Sequence, residues 1–280
     1  MAQKPPAALP VLPAGVQLVD THCHLDMAAF AEDLLAVLDR SRAAGVTRLV
    51  TIGIDLASSR QAVALAGRFP GVFATVGIHP HHVSGLTGAD YDELAALAAS
   101  PGVVGLGEIG LDAVKAYAPM ATQKEHLERQ LRLARDLGLP VVLHDREAHA
   151  DLLAILDRVG PLPARGVMHC FSGDLELART AVAAGFLVSI PGVVTFPKAE
   201  ALAQVAASLP LSALLLETDA PYLAPQPRRG RRNEPALVVS TAFRVAELRG
   251  RPVAEIAQAT TANAEELFRL PQRFLTPEAR

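Results

Sequence analysis

Six side chains of types that bind metal ions, four histidines, one glutamate and one aspartate, stand at or near the ends of short apolar runs in this sequence. Two histidines stand two residues apart in LVDTHCH, and the other four side chains follow the apolar parts of VVGLGEI, VVLH, GVMH and ALLLETD. In chain order the six are His22, His24, Glu108, His144, His169 and Asp219. Imidazole and carboxylate groups together bind divalent ions such as Zn2+, Mn2+, Co2+ and Mg2+. The set predicts a metal centre that activates water for hydrolysis.

The spacing of these side chains indicates how the fold brings them together. From His24 onward the gaps are 84, 36, 25 and 50 residues. These gaps are close to three, one, one and two times a unit of about 28 residues, near the length of one strand–helix repeat. Parallel strands that carry ligands at their C-terminal ends place all six around the mouth of a (β/α)8 barrel. An open sheet would not so easily join ligands from the first and eighth strands, which barrel closure makes neighbours.

Eight apolar runs alternate with Ala/Leu-rich amphipathic stretches along the chain. The runs are QLVDTH, TRLVTIGI, VFATVGI, VVGLGEI, PVVLH, GVMHC, FLVSI and ALLLETD. The clearest helical stretches are residues 33–43, 56–68, 89–99 and 122–137, and two or three more helices are expected between 236 and 270. This alternation is typical of a parallel sheet covered by helices. We expect a single α/β domain, a TIM barrel over residues 16–270, between a flexible Pro-rich tail at 1–15 and a C-terminal tail at 271–280.

Composition limits the class of protein further. The 280 residues carry a formal net charge of −3, which excludes a generally basic nucleic-acid coat and requires a local patch for any nucleic-acid contact. The two cysteines form no Cys-x-x-Cys motif, and prolines interrupt any signal-peptide core near the N-terminus, so we expect a cytoplasmic protein. No apolar run reaches the roughly 18 residues of a membrane span. No obligate protein partner is evident from the sequence.

Each ligand has a chemical interpretation from its own surroundings. His22 and His24 are two apart on a strand, so both point to one face and can share an ion. Cys23 then points the other way, and we interpret it as a small buried hydrophobic residue. Glu108 has two carboxylate oxygens and can bridge two ions about 3.5–4 Å apart. Asp219 can bind metal, orient the attacking water or accept its proton.

Basic side chains near the expected mouth are candidates for binding a phosphate-bearing substrate. Guanidinium groups pair bidentately with phosphate. Arg228 and Arg232 belong to a cluster of four arginines after the eighth strand, and Arg146 follows His144 by two residues. The alternative for the cluster is a solvated loop with salt bridges to acidic neighbours. Tyr222, in DAPYL, is interpreted as a loop-packing residue, with stacking on a base as the alternative.

Seven motifs in order give the chain a specific resemblance. They are VDTHCHLD, GIHPH, GEIGLD, LHDREA, HCFSGD, LLLETDAPYLAP with RGRRNEPA, and TTANAEELF, and they span residues 19–268. The chain resembles the TatD family of metal-dependent deoxyribonucleases, within the wider amidohydrolase-like barrels. Many members carry two tyrosines and an arginine where this chain has Ala113, Val114 and Lys115. That departure concerns substrate preference more than the chemistry.

The resemblance implies a role for each ligand. It implies that His22 and His24 bind one of two divalent ions, Mg2+, Mn2+ or Zn2+, and that Asp219 coordinates this ion and positions or deprotonates the water. It further implies that a second ion is bound by two more histidines and that a glutamate bridges the pair. These residues are His144, His169 and Glu108. His79 in GIHPH matches a histidine near the scissile phosphate.

These features together predict a function. We expect a metal-dependent nuclease that hydrolyses phosphodiester bonds of DNA at single-stranded or frayed ends, as a 3′–5′ exonuclease. A small-molecule amidohydrolase or lactonase is the first alternative, although such enzymes often bridge their metals with a carbamylated lysine and this chain has Glu108 there. An ester hydrolase acting on aminoacyl-tRNA with the same site is a further alternative. A barrel that binds nucleic acid without catalysis is disfavoured, because all six ligands are present.

Overall fold

The computed structural model describes residues 9–115 and 117–271. Within these residues eight parallel strands alternate with helices. The strands are β1 (Leu18–Cys23), β2 (Val46–Ile52), β3 (Val72–Val76), β4 (Val103–Asp112), β5 (Val141–Arg146), β6 (Gly166–Met168), β7 (Phe186–Ile190) and β8 (Leu214–Leu216). Each strand falls on one of the apolar runs, so the eight predicted strands are confirmed.

The helices cover the outside of the sheet or follow its last strand. They are α1 (Leu34–Ala43), α2 (Leu56–Arg68), α3 (Gly88–Ala98), α4 (Met120–Leu137), α5 (His149–Val159), α6 (Leu175–Ala183), α7 (Glu200–Ser208), α8 (Val238–Arg249) and α9 (Val253–Phe268). The four helices predicted from amphipathic stretches are confirmed, with ends displaced by two residues at most. Over the ranges that the structure covers, no helix combines the length and the apolar character needed to cross a membrane.

The strands pair in chain order from β1 to β8, and the sheet closes on itself beyond the end of β8. Asp219 donates its backbone N–H to the carbonyl oxygen of His22 at 2.9 Å, and His24 donates to the carbonyl oxygen of Ala220 at 2.7 Å. The buried carboxylate of Asp20 accepts the N–H of Thr218 across the same seam at 2.9 Å. The seam brings ligands from the first and eighth strands together, and the predicted (β/α)8 barrel is confirmed.

The C-terminal helix covers the N-terminal ends of the strands. Asn263 on α9 donates its side-chain amide to the carbonyl oxygen of Leu214 at 2.8 Å, and Thr261 donates to Gln17 just before β1 at 3.1 Å. Leu267 and Phe268 pack into an apolar cluster inside the barrel with side chains of β1, β2, β5, β6, β7 and β8. This end of the barrel is therefore filled, and a cavity is left at the C-terminal ends of the strands.

The tails predicted at the two ends of the chain lie mostly outside the described residues. Residues 1–8 and 272–280 belong to that part. Leu12 and Val16 pack against the cluster between strands and helices, and Leu270 is buried beside α9. The boundaries 1–15, 16–270 and 271–280 stay a prediction.

Candidate metal centre

All six predicted ligands converge at the C-terminal ends of the strands. Their ligand atoms, together with one from His79, form three overlapping groups whose members lie within 4.8 Å of one another. The groups are His22–His24–Asp219, His22–Glu108–His169 and His79–Glu108–His144. All of these side chains are buried or half-buried. Such a concentration of imidazoles and carboxylates is costly to bury without a positive ion to share.

Glu108 lies at the centre of the cluster and presents its two oxygens to two different sets of histidines. Oε2 lies 3.5 Å from Nε2 of His22. Oε1 lies 2.8 Å from Nδ1 of His144 and 2.8 Å from Nε2 of His169. One carboxylate oxygen therefore faces each half of the cluster, as a ligand that bridges two ions requires.

The sequence GLGEIG allows β4 to bring Glu108 to this position. A Cβ atom placed on Gly107 would lie 2.6 Å from both Cβ and the carbonyl oxygen of Val142 on β5. Only glycine permits that approach, as the sequence predicted. Glu108 also donates its backbone N–H to the carbonyl oxygen of Gly53 at 2.9 Å. These contacts fix the carboxylate against its neighbouring strands.

Asp219 reaches the other half of the cluster from the loop after β8. Its backbone is left-handed, with φ of 56°, a conformation that aspartate tolerates better than most residues. Hydrogen bonds hold this conformation: Asp219 donates its N–H to His22, and its carbonyl oxygen accepts from Tyr222 at 2.9 Å. Oδ1 then lies 3.4 Å from Nε2 of His24 and 3.7 Å from Nε2 of His22.

The histidines and carboxylates of the cluster shift one another's pKa values. Burial alone would raise the pKa of Glu108, but His169, His79 and the hydrogen bond from His144 hold that pKa well below its usual value. Burial likewise opposes the charged form of His169, yet the facing Glu108 carboxylate raises the pKa of this histidine well above its usual value. Burial and the neighbouring His169 lower the pKa of His22. Glu108 is therefore ionised at neutral pH, the state in which a carboxylate binds metal.

Two carboxylates behind the ligands were missed by sequence reasoning. Asp112 and Glu217 were assigned to no role, but both are fully buried. Oδ2 of Asp112 lies 3.5 Å from Nε2 of His144, and Oε1 of Glu217 lies 3.6 Å from Nδ1 of His169. Each therefore faces the ring nitrogen that points away from Glu108. Asp112 is four residues after Glu108 and Glu217 is two before Asp219, so strand alternation was the signal that places them on the ligand-bearing face.

His79 differs from the other histidines of the cluster in its hydrogen bonding. Its Nδ1 accepts the backbone N–H of His81 at 3.1 Å. Burial lowers the pKa of His79 to about 4, so the ring is neutral at pH 7 and the proton lies on Nε2. That Nε2 lies 3.4 Å from Oε1 of Glu108. His79 thus presents an N–H donor to the cluster, whereas a metal ligand requires a lone pair there.

A cavity of about 630 Å3 opens above the cluster. Its lining includes His24, His79, His144, His169, Glu108 and Asp219, with the basic side chains of Arg146 and Lys115. His81 also lines it and places Nε2 2.8 Å from Oδ2 of Asp112. The predicted substrate residues His79 and Arg146 are therefore brought to the cluster.

Arg228 and Arg232 are not brought to this cavity. Both line a second cavity with residues 9–16 and the C-terminal end of α1. Arg232 donates two hydrogen bonds to the carboxylate of Asp33, at 2.7 and 2.8 Å, and one to the carbonyl oxygen of Ala29 at 2.6 Å. Its guanidinium lies over the ring of Phe30. For Arg232, this arrangement matches the alternative given for the arginine cluster, a loop with salt bridges to acidic neighbours.

The two cysteines occupy different surroundings. Cys23 is fully buried in the apolar layer between strands and helices, as expected. Cys170 is half-buried, lines the cavity and donates its backbone N–H to Oε1 of Glu217 at 2.6 Å. Burial raises the pKa of both thiols well above the usual value, so neither is a thiolate at neutral pH.

A (β/α)8 barrel with histidines and carboxylates at the C-terminal ends of its strands is the architecture of metal-dependent hydrolases. The family model TatD related DNase matches residues 19–269. This chain belongs to that family, and the predicted resemblance is confirmed.

Curated relatives and a solved structure agree with this assignment. The chain is 38% identical to the uncharacterized metal-dependent hydrolase YabD of Bacillus subtilis, over 90% of this chain and 99% of YabD. It is 39% identical to the 3′-5′ ssDNA/RNA exonuclease TatD of Erwinia billingiae, over 91% of this chain and 100% of that protein. The crystal structure of YjjV, a TatD homolog from Escherichia coli, superposes with a TM-score of 0.86 at 36% identity, covering 91% and 98% of the two chains.

Proposed function

We propose that this protein is a metal-dependent nuclease that hydrolyses phosphodiester bonds of single-stranded DNA from the 3′ end. The proposal assigns two divalent ions to the cluster, Mg2+, Mn2+ or Zn2+. The Erwinia relative is named as an exonuclease on single-stranded DNA and RNA, which supports the substrate class. We also propose that the protein acts in the cytoplasm, on single-stranded or frayed ends, without an obligate protein partner.

The position of Glu108 is the observation that carries the proposal. Its Oε2 faces His22, and its Oε1 faces His144 and His169. His22, His24 and Asp219 form the group on one side. We assign one ion to this group and a second to His144 and His169, with Glu108 as the shared ligand.

Buried ring nitrogens support the fit of metal ions to this cluster. Nε2 of His22 is buried and makes no hydrogen bond within the described part of the chain, although it lies within 3.7 Å of two carboxylates. An ion between these atoms would accept its lone pair. The nitrogen and oxygen donors suit Zn2+ and Mn2+, and the number of histidines argues against a site restricted to Mg2+.

The chain's own side chains define the remaining chemistry. Bound divalent ions would make water nucleophilic at neutral pH and stabilise charge on a phosphoryl oxygen. Asp219, at the open side of its group, orients the attacking water and accepts its proton. His79 donates its Nε2–H to a non-bridging oxygen of the phosphate. Arg146 and Lys115, at the mouth of the cavity, pair with the flanking phosphates.

The depth of the site favours a strand end as the substrate. Glu108, His22 and His169 are at least nine-tenths buried, so the phosphate that reacts must enter the cavity. A duplex is stiff over about 150 base pairs and does not bend an internal phosphate into such a recess. A single-stranded end is flexible enough to enter it.

The test is hydrolysis of a 5′-labelled single-stranded oligonucleotide with Mg2+, Mn2+, Zn2+ or EDTA. A ladder that shortens from the 3′ end, that EDTA abolishes and that Asp219→Asn reduces at least a hundredfold would support the proposal. The variant His149→Asn is the matched control, since His149 bonds to Asp145 and belongs to none of the three ligand groups. An intact oligonucleotide, with turnover of a dihydropyrimidine, a lactone or aminoacyl-tRNA, would contradict it and favour one of the alternatives.

A further inference from the structure

Exposed apolar side chains are concentrated on two loops at the end of the barrel where the metal cavity opens. Seven large apolar or aromatic side chains in the described part of the chain are exposed. Four of them stand on the loops after β4 and β8: Val114, Tyr117, Tyr222 and Leu223.

The two tyrosines stand on opposite sides of this mouth. Tyr117 follows β4 and Tyr222 follows β8, and in a closed barrel of eight strands these two strands face each other across the axis. The ring of Tyr117 is 4.7 Å from the ring of His81, which lines the cavity. The ring of Tyr222 is 6.3 Å from the ring of His24. The ring of Tyr222 therefore borders the His22–His24–Asp219 group. The ring of Tyr117 lies next to His81, whose ring is 6.3 Å from that of His144 on the other side of the cluster.

Both rings are exposed although the backbone beside them is anchored. Tyr117 is 67% exposed and Tyr222 is 51% exposed. Tyr222 donates its N–H to Asp219, and its carbonyl oxygen accepts from the side-chain amide of Asn233 at 2.5 Å. Tyr117 donates its N–H to Lys115, and the next residue, Ala118, accepts from Gln123 at 2.9 Å. The rings are thus held at the rim without being packed, which is the property of a stacking platform.

We propose that Tyr117 and Tyr222 stack on the two nucleobases that flank the scissile phosphodiester, one ring for each base. This inference rests on the proposed nuclease function and extends it to recognition of the bases. Aromatic rings stack on every base, so the platform accepts strands of any sequence. Lys115 and Arg146 lie at the same mouth and can pair with the phosphates between and beside the stacked nucleotides.

Steady-state cleavage by Tyr117→Ala, Tyr222→Ala and the conservative Phe variants tests this inference. Stacking contributes similarly to the bound substrate and to the transition state, so each Ala variant should raise KM about tenfold with kcat nearly unchanged. The Phe variants keep the ring and should behave as wild type. Leu35→Ala is the matched control, because Leu35 is 61% exposed on α1 and lines neither of the two cavities described above.

Strands that lack one base identify which ring serves which nucleotide. Three substrates are compared: an unmodified strand, one abasic at the 3′-terminal nucleotide and one abasic at the next nucleotide. On one of the two abasic strands, the KM of each Ala variant should equal that of wild type on the same strand. The strand on which this occurs should differ between the two variants. Wild-type KM for both Ala variants, or the same penalty on all three strands, would overturn the inference. A wild-type protein that leaves the unmodified strand intact would instead overturn the proposed function, and the inference with it.

Discussion

Asp112 and His144 face each other across the β4–β5 pairing, with Oδ2 of Asp112 3.5 Å from Nε2 of His144. The other ring nitrogen of His144 lies 2.8 Å from Oε1 of Glu108. The ring is therefore placed between one carboxylate inside the metal cluster and one outside it. A carboxylate behind a ligating histidine fixes the ring orientation and strengthens the ligand. Glu217 stands in the same relation to His169.

Replacing Asp112 should weaken the metal site without removing a ligand. We expect Asp112→Asn to lower the affinity for one of two Mn2+ ions roughly 10- to 100-fold, because His144 loses the charge that orients it. Calorimetric titration of the metal-free protein measures this change. Asp145→Asn is the control, since Asp145 lines the cavity but bonds to His149. Equal Mn2+ affinities for wild type and Asp112→Asn would show that Asp112 does not support the ligand.

His79 should matter for catalysis and not for metal content. Its Nδ1 accepts a backbone N–H, so its Nε2–H is available as a donor, and we propose that it binds the phosphoryl oxygen. We expect His79→Ala to lower kcat roughly 100- to 1000-fold, the range for removal of one donor to a developing oxyanion, with two ions still bound per chain. Metal analysis by mass spectrometry alongside the kinetics separates these effects. Loss of one ion would make His79 a ligand, contrary to its hydrogen bonding.

Replacing Arg146 should change KM, whereas replacing Arg232 should not. Arg146 lines the cavity over the ligands, so Arg146→Ala should raise KM for an oligonucleotide roughly three- to tenfold through loss of a phosphate partner. Arg232 binds Asp33 and the carbonyl oxygen of Ala29, so Arg232→Ala should leave KM unchanged and lower the free energy of unfolding by at most about 1 kcal/mol. A raised KM for Arg232→Ala would restore the substrate role that the sequence predicted for the arginine loop.

Acidification should destabilise the protein through His126 on α4. Burial lowers the pKa of this histidine below 6.5, and Tyr91 bonds to its Nδ1 at 2.6 Å. The unfolded chain then binds more protons than the folded one between the folded pKa and 6.5. The contribution of His126 to stability is accordingly largest above pH 6.5 and is lost as the pH drops through this window. Urea unfolding in EDTA at pH 7.5 and 5.0 measures the decrease.

His126→Asn isolates the contribution of this histidine to the pH dependence. Asparagine can accept the hydrogen bond of Tyr91 and does not titrate. The free energy of unfolding of the His126→Asn variant should therefore fall less than that of wild type between pH 7.5 and 5.0. His149→Asn removes a histidine from the neighbouring helix α5 and is the control. The same decrease in wild type and His126→Asn would show that other groups produce it.

The sequence was sufficient to predict the barrel because its apolar runs and its ligands follow the same repeat. His22 and Asp219 are far apart in the chain, yet closure of β8 onto β1 makes them hydrogen-bonding neighbours. The convergence of the six ligand side chains followed from that topology. Glu108 was identifiable as the bridging candidate because it alone carries two oxygens near the middle of the ligand series.

What the sequence could not predict depends on the paths of loops and on side-chain directions. Arg232 and Arg146 both follow a barrel strand in the sequence, but only the course of the loop shows that Arg232 turns back to Asp33. Tyr222 was expected to pack within its loop, whereas the residue is 51% exposed and lines the metal cavity. Asp112 was left without a role, although its position four residues after Glu108 on β4 puts it on the same face of the strand.

We propose that Glu108 bridges two metal ions, and electron paramagnetic resonance of the Mn2+-loaded protein tests this arrangement. Two Mn2+ ions held about 3.5–4 Å apart by a shared carboxylate should give an exchange-coupled spectrum, with two ions bound per chain. Glu108→Ala should lose the coupling together with hydrolysis of single-stranded DNA, while His149→Asn keeps both. A single uncoupled ion per wild-type chain, or coupling that survives in Glu108→Ala, would contradict the bridged two-metal site.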